Sequence, residues 1–222
     1  LDTFGTMAKP QRFLKSDFER EREVILEELK KNEDSPDRQL FQSLFGATYS
    51  KHPYGRPVIG FVKTLNAAKV GELEAFYRRN YVAGNMGLVL VGPIGDAQDA
   101  RYKGILRLLE KHYGSKILPR RGVERRPRAI EAPLRKAVNL TKRDFDVKNP
   151  SLSLAFRVPE LRHSDVPAID VMSSVLAMGE LSRLYQKLFY QTSMATEVSG
   201  GLYIPRDPGM GSAPGRFRRP RC

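Results

Sequence analysis

The apolar positions of this chain fall into short stretches of two periodicities. Residues 17–32 hold strong helix formers with no Gly or Pro, and Ser16 followed by Glu19 gives a capping-box pattern, so a helix is predicted there. Asp34, Ser35 and Pro36 should end it. Leu40, Phe41, Leu44 and Phe45 recur at helical spacing over 37–45, and Val70, Leu73, Phe76 and Tyr77 do the same over 67–80. A further helix is predicted over 97–113, with Ile105, Leu108, Leu109 and His112 along it. Residues 86–91, MGLVLV, form a short apolar run bounded by Gly84-Asn85 and Gly92-Pro93, the pattern of a buried strand. KHPYGRPVIG, residues 51–60, reads as a loop from its Pro and Gly content.

Beyond an Arg- and Pro-rich stretch the mixture repeats. Residues 137–140, 152–158 and 197–204 predict strands, and 168–178 and 182–190 predict helices. Helices and strands in this mixture predict a layered domain of α/β or α+β class, of which α+β, a layered mixed sheet covered by helices, is the reading taken. Residues 119–130 are expected to be a basic linker between a first part, 1–118, and a second, 131–207. From 208 to 222 periodicity gives way to Gly, Pro and Arg, so an irregular tail, truncated or altered in frame, is expected.

Composition narrows the functional classes. With 41% hydrophobic and 28% charged residues, the chain reads as globular rather than disordered, and no run approaches the roughly 18 apolar residues of a membrane span. The net charge of +13 suggests nucleic acid until its distribution is considered. Arg120, Arg121, Arg125, Arg126 and Arg128 sit in the expected linker, and Arg216, Arg218, Arg219 and Arg221 in the expected tail. They lie beside Pro and Gly rather than interleaved with aromatics on one folded element, so no nucleic-acid partner is expected. The single Cys222 rules out an internal disulfide framework and a Cys-based metal cluster. The sequence opens on Leu1 without the features of a signal peptide, leaving the compartment unassigned and suggesting that the natural start lies upstream.

The candidate chemistry sits on the first predicted helix. At about 100° per residue, Phe18, Ile25 and Leu29 share one stripe, while Glu21 and Glu28 fall between that stripe and Val24, facing inward. Two buried carboxylates need compensation from a metal, an arginine or strong donors, or else the helix lies at an edge where they reach solvent. Seven residues are two turns, so both acids share a face.

FEREREVILEELKKNED, residues 18–34, resembles the glutamate-bearing helix of the pitrilysin/insulysin family of zinc metallopeptidases, which includes mitochondrial processing peptidase. HPYGRPVIG at 52–60, FYRRNYVAGNMGLVLVGPI at 76–94 and SRLYQKLFYQTSMATEVSGGLYIPRDPG at 182–209 resemble later segments of that family in the family's order. The resemblance implies that Glu28 is a zinc ligand and Glu21 an acid supporting it, that 1–118 is the later part of a peptidase domain, and that 131–207 begins a second, homologous domain. It also implies a Zn2+ cofactor, a peptide or unfolded-protein substrate, and pairing as a homo- or heterodimer with a homologous chain.

The family's inverted His-x-x-Glu-His motif supplies two further ligands and the glutamate that activates the metal-bound water. It is absent here. His52, His112 and His163 all follow Glu28, lie far apart, and are expected in solvated or capping roles. Because a catalytic zinc needs three protein ligands, the expectation is a fragment of a metalloendopeptidase, inactive alone, whose general base lies upstream. The alternative is a non-catalytic peptide-binding or assembly subunit.

Overall fold

The structure, a computed structural model, describes residues 2–9, 11–114, 127–132, 134, 136–142 and 145–218. The chain divides into two units, one of Leu1–Leu26 and Val62–Pro127, the other of Glu27–Phe61 and Arg128–Cys222. Helix α2, Lys15–Glu33, contributes residues to each. The division differs from the expected one, which kept residues 27–61 with the first part. Phe45, Tyr49 and Met210 make one buried cluster, and that apolar contact joins 27–61 to the later sequence. Residues 119–126 of the expected linker lie outside the described residues.

The first unit is helical. Besides the start of α2 it contains α1 (Asp2–Ala8), α4 (Val62–Ala67), α5 (Val70–Asn80) and α6 (Ala100–Tyr113). The Glu72 carboxylate reaches back to accept the Lys69 N–H at 2.9 Å, and Asp99 caps α6 by accepting from the Arg101 N–H at 2.7 Å; each satisfies a donor that the helix leaves unpaired. Tyr77 is buried on α5, stacked on Tyr81 and edge-on to Phe13, with its hydroxyl 2.8 Å from the carbonyl oxygens of Met7 and Lys9. Val82 is fully enclosed.

Residues 86–91, expected as a buried strand, have no ladder partner among the described residues, and Val89 and Val91 are about nine-tenths exposed. A strand exists only where another chain segment takes its N–H and C=O groups, and apolar β-branched sequence cannot supply that neighbour. Residues 137–140 behave likewise, with Val138 and Leu140 exposed.

The second unit is built on a sheet of β1 (Ser151–Val158), β2 (Ala195–Val198), β3 (Gly201–Tyr203) and β4 (Gly209–Phe217). β4 lies between β1 on one side and β2 and β3 on the other, and every described pairing is antiparallel. The expected single strand over 197–204 is thus two, interrupted at Ser199 and Gly200. The expected irregular tail is a correction of substance, because residues 209–217 are the central strand. Gly and Pro weaken a strand in isolation, but here neighbours on both sides supply the ladder. Pro214 falls at the gap between β2 and β3, where its carbonyl accepts the Ser199 N–H at 3.0 Å, so its missing donor costs little there.

Helix α3 (Pro36–Thr48) lies on the sheet, with Phe45 and Tyr49 against Met210 and Ala155. Ser35 caps it and Pro36 opens it, a favourable start because the first N–H has no partner in any case. Helix α7 (Val166–Ala177) approaches β3, where a Cβ on Gly200 would collide with Ala177. The short α8 (Arg183–Tyr185) continues as one wider turn over Gln186–Gln191.

Candidate functional site

Glu21 and Glu28 both stand on α2, and both are exposed. The expectation that they face inward is not met. Leu29 and Asn32 are buried and Phe18, Glu19, Arg22, Ile25 and Leu26 half-buried, an arc turned away from the Val24 side of the expected stripe, while Val24 is 56% exposed. The flank carrying the two acids therefore opens to solvent among the described residues. Neither acid has an ion-pair partner among them, whereas Lys15–Glu19 and Arg20–Asp17 pair elsewhere along the helix.

The described residues hold no group of three or more His, Cys, Asp or Glu able to bind a metal ion. Tested against zinc, which takes three protein ligands in a catalytic site, the donor set of the described residues does not fit. The three histidines are not brought together with Glu28. His52 is buried rather than solvated, and its Nδ1 accepts the Tyr54 N–H at 3.2 Å, capping the short turn Pro53–Gly55. His112 is buried near the end of α6, and His163 Nδ1 accepts the Asp165 N–H at 3.2 Å.

What the second unit does assemble is a charged cluster around that turn. The Glu131 carboxylate accepts from Ser50 Oγ at 3.1 Å, from the His52 N–H at 2.6 Å and from the Lys51 N–H. Arg157 on β1 lies 3.5 Å from it, and both side chains are largely buried. Burial alone would raise the Glu131 pKa, but the His52 and Lys51 amides, the Ser50 hydroxyl and the Arg157 charge outweigh it and hold the carboxyl below its ordinary value. Arg157 also donates through Nε to the Thr48 carbonyl at 3.0 Å and through its terminal nitrogens to Thr48 and Ala132.

Asp207 gathers the other side, ion-paired with Arg128 Nε at 2.8 Å and accepting from Tyr54 Oη at 3.2 Å. His52 Nε2 is 3.4 Å from the same oxygen, without hydrogen-bond geometry. Tyr49 completes the cluster: its hydroxyl donates to the Pro208 carbonyl at 3.1 Å, and burial, with Tyr203 and Tyr54 nearby, pushes its pKa up to about 12. Sequence reasoning missed Glu131, Arg157 and Asp207. The one available signal was Arg157 itself, the single charged residue of the strand, sharing the face of Ser153 and Ala155.

Helices and an antiparallel sheet in this order are shared with solved domains of peptidase M16 type. A crystal structure of a peptidase M16 inactive domain from Pseudomonas fluorescens superposes with a TM-score of 0.79 at 19% identity, over 97% of this chain and 50% of that one. The family described as Peptidase M16 inactive domain matches residues 68–212, and the chain belongs to the M16 peptidase family. Similar curated proteins include an uncharacterized zinc protease of Mycobacterium bovis, 29% identical over 87% of this chain and 42% of its own length. The zinc protease YmxG of Bacillus subtilis is 26% identical over 95% of this chain and 48% of its own. The chain thus spans less than half the length of these relatives. Glu21 and Glu28 lie before the residues that the family description matches.

Proposed function

We propose that this chain is part of a zinc metalloendopeptidase in which it contributes one arm of the metal site, with Glu28 as the ligand and Glu21 as the acid that orients it. The observation that carries the reading is the placement of both carboxylates, exposed and unpaired among the described residues, on one helix of a chain whose relatives are named zinc proteases. An exposed carboxylate can meet a metal held by other residues, and a neighbouring acid can fix a ligand's orientation through hydrogen bonds. The remaining ligands and the general base come from outside the described residues, so the chain alone is inactive.

In this reading the sequence from residue 131 on, β4 included, begins a second domain homologous to the first, and the substrate is a peptide or an unfolded protein segment. The whole protein works as a homo- or heterodimer with a homologous chain. The alternative, a non-catalytic peptide-binding subunit, draws support from the matched family's description as an inactive domain. The coding DNA upstream of Leu1 separates the two. An in-frame His-x-x-Glu-His there supports the peptidase, and its absence favours the subunit.

A further inference from the structure

The end of α2 that carries Glu28 is tied to α3. The Ser35 N–H donates to the Asn32 carbonyl at 3.3 Å, and Arg38 on α3 donates to the side-chain oxygen of Asn32, which is buried. At its other end, α3 presents carbonyls that the helix cannot satisfy internally. The Thr48 carbonyl is taken by Arg157 through Nε and a terminal nitrogen, placing a cation against the negative end of the helix. The guanidinium is itself fixed, since it also donates to Ala132 and lies against Glu131, and the Glu131 carboxylate is held by Ser50, Lys51 and His52. A continuous path of bonds therefore runs from the sheet through Arg157 and α3 to the last turns of α2.

We infer that Arg157, oriented by Glu131, is a positioning residue: it fixes α3 on the sheet and so sets where the Glu28-bearing end of α2 points. Apolar contact among Phe45, Tyr49 and Met210 and the exposed Arg216–Asp37 pair near the start of α3 also hold it down, but apolar packing tolerates sliding and an exposed pair is weak, whereas a largely buried planar guanidinium spanning two carbonyls and a carboxylate fixes the far end of the helix. This inference rests on the reading of Glu28 as a ligand only for its functional meaning. Its geometry is testable without metal.

The test is a spin-label distance measurement on the full chain in a Cys222→Ser background, with labels at the exposed positions Lys30→Cys on α2 and Glu160→Cys beyond β1. One narrow distance is expected. Arg157→Met should lose that single distance in favour of a broad or divided distribution, and Glu131→Gln should do so to a lesser degree while keeping the side-chain shape. Met210→Ala, a core truncation with no part in the path, should lower the melting temperature yet keep the distance narrow. An unchanged distribution in both Arg157→Met and Glu131→Gln, or equal broadening in Met210→Ala, would overturn the inference. Zinc content of Glu28→Gln in the longer protein tests the ligand reading separately, so failure of one leaves the other standing.

Discussion

Glu131 is pulled in opposite directions, by burial toward the neutral acid and by four donors toward the anion, and the donors prevail. A carboxyl whose folded pKa lies below its unfolded value adds stability that is fully present above the ordinary value of 4.5 and is lost as pH falls through the folded value. Glu131→Gln is therefore expected to cost about 1–3 kcal/mol at neutral pH, because buried donors lose a charged acceptor. That difference should shrink as the pH drops below 4.5, and urea unfolding of both proteins across the range checks it. At this scale the sequence was half legible. Glu21 and Glu28 stood out because helical spacing put them on one face, and the wheel misjudged their exposure because the buried arc is turned toward Arg22 and Leu26 rather than Val24. Glu131 could not be seen, since its partners at Ser50, Lys51 and His52 are about eighty positions away and two of them bond through the backbone.

Among the elements, helices were legible and strands only in part: the strand expected over 152–158 is β1, while others were misplaced, for a common reason. A helix satisfies its own backbone, so residues 17–32, 67–80 and 97–113 carried their fate locally, and α2, α5 and α6 formed close to the expected bounds. A strand depends on its neighbours. MGLVLV at 86–91 has the sequence of a strand and no partner among the described residues, while the Gly- and Pro-containing 209–217 has the partners and is a strand. Met210 makes this concrete, being 1% exposed at the centre of the aromatic cluster. Met210→Ala is expected to destabilise the second unit by about 2–5 kcal/mol, read from the shift in denaturant midpoint. A loss under 1 kcal/mol would mean that β4 does not supply the core as described.

At the scale of the molecule, the family and the α+β class were legible because four segments matched in order, and the comparisons bear out both. No described helix is long and apolar enough to cross a membrane. Leu152, Leu154 and Phe156 on β1 and Val171 and Val175 on α7 are nevertheless exposed. Apolar side chains exposed side by side on a strand face bind hydrophobic dyes, so the isolated chain is expected to enhance the fluorescence of anilinonaphthalene sulfonate, and Phe156→Lys to reduce it. No enhancement would show that these side chains are covered in solution. The account's central claim is that Glu28 is one arm of a zinc site completed elsewhere in a longer peptidase. Metal analysis of that longer protein tests it most directly. The account predicts stoichiometric zinc in the wild type, severe loss in Glu28→Gln and a smaller loss in Glu21→Gln; full zinc content in Glu28→Gln would contradict it.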